Sequence, residues 1–145
     1  MKPRVKICCI SSVAEAALAV RYGAPALGLV SAMPSGPGVI AEETIVEIAA
    51  TVPPGVATFL RTSKHDAESI IAQQRRCRVN TIQLCDAVEP GCHARLRASL
   101  PGIALVQVIQ VTGPESVAEA VFVAGSVDAL LLDSGNTLCL GATLQ

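Results

Sequence analysis

Apolar and polar residues fall into two recurring kinds of block along this chain. Short apolar runs predict buried strands, and longer stretches with apolar residues at every third or fourth position predict amphipathic helices. The opening run, Val5-Lys6-Ile7-Cys8-Cys9-Ile10-Ser11, starts just after Pro3 and stops at a serine pair. It reads as a buried strand feeding a helix N-terminus. A helix follows over residues 12–22: Ser11 or Ser12 caps it, Glu15 lies in its first turn, and Val13, Ala16, Ala17 and Val20 form its apolar face before Gly23 ends it.

The same grammar continues. Residues 26–31 read as a strand, 33–38 as a loop too rich in Pro and Gly for regular structure, and 42–51 as a helix. Further strands are expected over 55–60, 81–85, 103–111 and 128–134, separated by helices over 66–76, 90–100 and 114–124. Ile70 and Ile71 face inward, Arg75 and Arg76 suit a helix C-terminus, and Pro114 suits a first turn. Six strand-and-helix units in unbroken alternation predict a parallel α/β sheet with right-handed crossovers. Either an open doubly wound sheet or part of a (β/α)8 barrel accepts that pattern. A complete barrel needs roughly 200 residues or more. This chain has 145, and residues 135–145 show no seventh unit, so the spacing predicts a single parallel α/β domain over 1–145 and leaves both architectures open.

Composition narrows the picture. The chain is 51% hydrophobic with a net charge of −1, and its charges are dispersed, which argues against a nucleic-acid surface. Aromatics are scarce, so Ala, Val, Leu and Ile must build the core, as suits helices on a parallel sheet. The longest uncharged stretches, 22–41 and 98–114, are broken by Pro and Gly, and the N-terminus is a poor signal peptide because Glu15 and Arg21 interrupt it. A soluble, cytoplasmic protein is expected. The cysteines are Cys8, Cys9, Cys77, Cys85, Cys92 and Cys139; free thiols are expected, since no C-x-x-C pair supports a metal cluster of Cys77, Cys85, Cys92 and His93.

Function in parallel α/β proteins gathers at the C-terminal strand ends. Those ends carry Cys8 and Cys9, Ser31, Arg61 and Thr62, Cys85 and Asp86, Gln110 and Thr112, and Asp133 and Ser134. Cys8 stands near Lys6 and ahead of a helix N-terminus, surroundings that favour a thiolate. Asp133 ends a run of three leucines, where partial loss of hydration would suit a carboxyl to acid–base work. The plain alternatives are a packing cysteine, a turn-forming aspartate and a snorkelling Lys6. His65 and His93 are expected at the surface. Gln83 and Gln107 are buried amides bonded to neighbours, although a barrel mouth would suit them. The 33–38 loop lacks the features of a nucleotide loop.

The run Val5-Lys6-Ile7-Cys8, then Ile10-Ser11, then Gly23-Ala24-Pro25-Ala26-Leu27-Gly28, resembles phosphoribosylanthranilate isomerase, whose pattern is K-I-C-G-[IL]-[TS], a helix and G-A-[DHP]-[AY]-[LI]-G-[FL]. Thr81-Ile82-Gln83-Leu84 is similar to its V-Q-L-H-G strand, and Leu130-Leu131-Leu132-Asp133-Ser134 to its sixth strand. The resemblance implies a (β/α)8 TIM-barrel fold, here one barrel-type domain over 1–145 with six β/α units and lacking the last two, and the rearrangement of N-(5-phosphoribosyl)anthranilate to 1-(2-carboxyphenylamino)-1-deoxyribulose 5-phosphate in tryptophan biosynthesis. It assigns Asp133 as general acid and Cys8 as general base, with no metal or organic cofactor and a small phosphorylated sugar as substrate. Departures accompany it. Cys9 replaces a glycine, Ser35-Gly36-Pro37-Gly38 replaces an S-P-R loop whose arginine meets the anthranilate carboxylate, and Cys85-Asp86 replaces His-Gly. The G-G-T-G-R region and strands seven and eight have no counterpart beyond a G-G-T-G remnant at Gly141-Ala142-Thr143. A second expectation therefore stands beside the isomerase: a truncated or degenerate, catalytically inactive paralogue that binds or forms homo-oligomers through open barrel edges.

Overall fold

The computed structural model describes residues 3–34 and 36–134. Within them β1 (Lys6–Ile7), β2 (Ala26–Val30), β3 (Ala57–Thr62), β4 (Thr81–Leu84), β5 (Ala104–Gln110) and β6 (Ala129–Asp133) alternate with α1 (Val13–Arg21), α2 (Glu42–Thr51), α3 (Ala67–Cys77), α4 (Cys92–Ser99) and α5 (Glu115–Ala124). All strand pairs are parallel, in the order β1-β2-β3-β4-β5-β6. Of the two architectures left open by the alternation, this consecutive order selects the barrel: the six strands form a half-barrel. The Gly141-Ala142-Thr143 remnant lies outside the described residues.

The helix-facing side of the sheet carries the apolar core. Leu27 and Leu29 of β2 and Leu60 of β3 pack with Ala16 of α1 and Ile45 and Ile48 of α2. Ile82, Leu84 and Leu105 pack with Ile70 and Ile71 of α3 and Leu96 of α4. Burying each such Leu or Ile contributes about 1.5–3 kcal/mol relative to leaving it in water. Ser12 caps α1 by accepting the Glu15 amide at 3.2 Å, and Asp66 caps α3 through the Ser69 amide at 2.8 Å.

Three strand expectations are corrected. The opening strand is two residues long rather than a buried run through Ser11, and Ile7 is 41% exposed, because β1 lies at one end of the sheet and pairs only with β2. At the other end β6 is half-exposed, with Leu132 at 65%, so its three leucines do not make a dry strand. The third strand begins at Ala57, not Gly55, because a turn closes from the Val56 amide to the Pro53 carbonyl at 3.0 Å. It extends through Arg61 and Thr62.

Candidate active site

Strand register decides which side chains share a face, because paired residues in a parallel sheet project to the same side and alternate residues to opposite sides. Arg61 pairs with Val30 and with Gln83, and Gln83 with Val106. Val108 pairs with Leu131, and Gln110 with Asp133. Counting along these ladders puts Lys6, Gly28, Arg61, Gln83 and Asp133 on the face opposite the two cores, the concave side. Cys8 follows Lys6 by two residues and lies over Gly28, where a Cβ would stand 2.9 Å from the Cys8 sulfur. The two candidates from the sequence, Cys8 and Asp133, thus occupy the same face at C-terminal strand ends on opposite sides of the half-barrel.

Around Cys8 the surroundings are cationic. Arg61 Nη1 donates to Cys8 Sγ at 3.2 Å, while Lys6 Nζ donates to Gln83 Oε1 and stands 4.8 Å from the centroid of the Phe59 ring. Burial pushes Lys6 below the ordinary lysine value, with the Cys8 thiol opposing. Burial also works against the Arg61 charge, but Cys8 and Cys85 outweigh it and hold Arg61 above the usual guanidinium value. Burial pushes Cys85 up despite Arg61. The expected helix N-terminus does not serve Cys8: the Ser11 amide donates to Glu15 at 2.7 Å, and Ser12 takes the Glu15 amide. The helix start is closed by its own residues.

Cys9 shows how the chain accommodates a side chain in place of glycine. Its φ is +59°, in the left-handed region that costs a residue with a Cβ roughly 1–2 kcal/mol. Gly38 makes the room, since a Cβ there would stand 2.5 Å from that of Cys9. Burial, followed by the neighbouring Cys8, pushes the Cys9 thiol up. The segment around it folds onto the strand end, with a Val30–Val39 bridge and a 3.6 Å bond from Cys9 Sγ to the Pro37 carbonyl.

Asp133 accepts its neighbour's Ser134 amide at 2.8 Å, and its carbonyl accepts the Val111 amide at 2.8 Å, so the strand end is tied to β5. The two glutamines part company. Gln83 lies on the concave face, whereas Gln107 faces the helices and donates to the Leu84 and Asp86 carbonyls at 3.2 and 3.0 Å. His93, expected at the surface, is half-buried because α4 lays it on Gln107 Oε1 at 3.0 Å. His65 is exposed and bonds the Ala87 carbonyl at 2.7 Å. Cys77 and Cys92 sit in separate cores, and among the described residues no group of three His, Cys, Asp or Glu could hold a metal ion. A largely apolar groove of about 390 Å³ lies beside β1 and is lined by Ile7, Cys8, Cys9, Ile10, Leu18 and Tyr22, so it reaches the Cys8 thiol. Among the described residues no helix is long and apolar enough to cross a membrane.

Lys6 and Arg61 are the residues that reading the sequence underweighted. In the sequence Lys6 reads as a neighbour of Cys8 or a snorkelling chain, and Arg61 as one of several strand-end residues, with nothing to join the two. The usable signal was the alternation in Thr58-Phe59-Leu60-Arg61-Thr62, where Leu60 must face the core and Arg61 therefore the opposite side.

Comparison with known proteins shows what the chain and its fold are similar to. No family model matches the chain. It is 29% identical over 97% of its length to the N-(5'-phosphoribosyl)anthranilate isomerase of Thermosynechococcus vestitus, and 31% identical over 97% to that of Gloeobacter violaceus. It spans 61% and 63% of those relatives' lengths. Its fold superposes on the crystal structure of phosphoribosylanthranilate isomerase from Thermotoga maritima with a TM-score of 0.81 at 25% identity, covering 97% of this chain and 66% of that one. Sequence and fold agree along almost the whole chain: it is a homologue of the phosphoribosylanthranilate isomerases.

Proposed function

We propose that this chain carries the acid–base pair of a phosphoribosylanthranilate isomerase and acts on N-(5-phosphoribosyl)anthranilate. The observation that carries the reading is the shared face: Cys8 and Asp133 project to the same concave side at the ends of β1 and β6. In the first step Asp133 gives its proton to the furanose ring oxygen. The C1–O bond breaks, and the lone pair of the anthranilate nitrogen forms a C1–N double bond. The charged Schiff base acidifies the hydrogen on C2. Cys8, as thiolate, takes that proton, the C2–H electrons form the C1–C2 double bond, and the iminium electrons return to nitrogen. The resulting enolamine tautomerises to the 2-keto product. The two proton transfers occur at separate atoms, so a donor and an acceptor on opposite edges of one face suit them. Neither step calls for a metal or an organic cofactor.

The retained pair and the likeness to isomerases along the chain favour this reading over an inert fragment. The test is turnover of N-(5-phosphoribosyl)anthranilate, followed by loss of substrate fluorescence, in the wild type, Cys8→Ala and Asp133→Asn. Each variant is expected to lose a factor of about 10²–10⁴. A wild type as silent as both variants sinks the reading.

A further inference from the structure

Two cations lie on the concave face with no carboxylate beside them. The ion pairs of the described residues are Arg76–Glu42, Arg95–Glu68 and Arg97–Asp128, and neither Lys6 nor Arg61 takes part. Their polar partners are instead an amide oxygen, Gln83 Oε1, and a thiol, Cys8 Sγ. Arg61 Nε is buried without any hydrogen-bond partner. Protein interiors rarely leave such a donor idle, and the Cys8 thiolate that the mechanism calls for balances only one of the two cations. The segment that folds over this strand end contributes no positive charge of its own, since Met33, Pro34, Gly36, Pro37 and Gly38 are uncharged.

From this we infer that Lys6 and Arg61 form the binding site for the carboxylate of the substrate. The inference rests on the isomerase reading for the identity of that carboxylate, the one on the anthranilate ring. A guanidinium fork offers two parallel N–H bonds to a planar two-oxygen acceptor, and an ammonium adds a point charge without a fixed geometry. A small turn of the guanidinium presents Nε together with Nη2, which pairs the idle donor while Nη1 stays on Cys8. The carboxylate bound there sets the aryl amine beside Cys8, so the proton on the adjacent sugar carbon falls to the thiolate. Arg61 in the strand thereby supplies the charge that the covering loop lacks.

The probe is 2-aminobenzoate, titrated into the full chain and followed by its own fluorescence, with aniline and orthophosphate as controls. Saturable binding of 2-aminobenzoate to the wild type is expected, with none for aniline. Arg61→Leu weakens it by about tenfold or more, while Lys6→Met and Arg61→Lys fall between. Circular dichroism melting of each variant establishes folding, and Arg61→Lys with Lys6→Met carry the test if Arg61→Leu does not fold. No saturable binding, equal binding by all variants, equal binding of aniline, or displacement by orthophosphate at equal concentration each overturns the assignment. Turnover separates this failure from that of the isomerase reading. Arg61-dependent binding in a chain without turnover keeps the site and sinks the isomerase. Turnover with KM unchanged in Arg61→Leu keeps the isomerase and sinks the site.

Discussion

Gly28→Ala separates placement of Cys8 from stability of the fold. Gly28 lies in the middle of β2 on the concave face, and a methyl there would stand 2.9 Å from Cys8 Sγ and 3.1 Å from Cys8 Cα. Non-bonded atoms of this kind settle at about 3.5–4.0 Å, so Cys8 must withdraw by roughly half to one ångström. Rotating its side chain is not enough, because its backbone is also too close. The element that yields is β1, two residues long and paired only to β2, whereas β2 is held on both sides. Overpacking costs about 1–3 kcal/mol, and a weakly held strand puts the cost near the lower end. Replacing a strand-interior glycine recovers about 0.5–1 kcal/mol, which leaves a net loss of about 1 kcal/mol or less. Turnover responds far more, since a misplacement of about 1 Å can cost about 10²-fold. Urea unfolding, turnover of N-(5-phosphoribosyl)anthranilate and the iodoacetamide alkylation rate of Cys8 read the three quantities separately. Turnover within threefold of wild type, at unchanged stability and an unchanged alkylation rate, would refute the reasoning (a threefold change is under about 1 kcal/mol).

Two further expectations concern titrating groups. Cys77 is wholly buried, and burial pushes its thiol up to about 11, so iodoacetamide near pH 8 should leave it unmodified in the folded chain and label it in urea; peptide mass mapping checks this, and equal labelling in both states contradicts the packing described. Glu42 is held below the ordinary carboxylate value, first by Arg76, which donates to it at 2.8 Å. A depressed carboxylate contributes stability that is present above its unfolded value of about 4.3 and lost as pH falls through its folded value. The urea midpoint of Glu42→Gln should therefore fall less steeply than that of wild type as pH drops below about 4.5. Parallel curves would show that the pair adds nothing.

Most of the fold could be read from spacing because each unit pairs its core-facing residues with a helix of matching period. The second helix runs over 42–51 as expected, since Glu42 opens it and Ile45 and Ile48 sit on one face. The ends of the sheet were harder to read, because burial of a strand depends on having neighbours on both sides and the local pattern does not reveal that. Val5-Lys6-Ile7-Cys8 and Leu130-Leu131-Leu132 look as apolar as central strands, yet Ile7 and Leu132 are exposed. The same limit affected the site. Cys8 and Asp133 stood out as reactive types at strand ends, and the register places them on one face. Arg61 did not stand out, because a charged residue after an apolar run reads as an exit from the strand, whereas the concave face of this sheet is polar. His93 looked superficial because nothing local predicts that the amide oxygen of Gln107, fourteen residues on, would accept from its ring.

The consecutive order of the six strands has a consequence for how the molecule comes apart. Every unit is stitched to the one before and the one after it, so the half-barrel behaves as a short linear array in which stability is a sum of units and the seams between neighbours. Units in the middle have two seams and those at the ends have one. Amide hydrogen exchange should accordingly be slowest in β3 and β4 and quicken toward β1 and β6. Cys8 and Asp133 sit at the two ends of the described array, so exchange rates measured at β1 and β6 report how firmly each member of the pair is held.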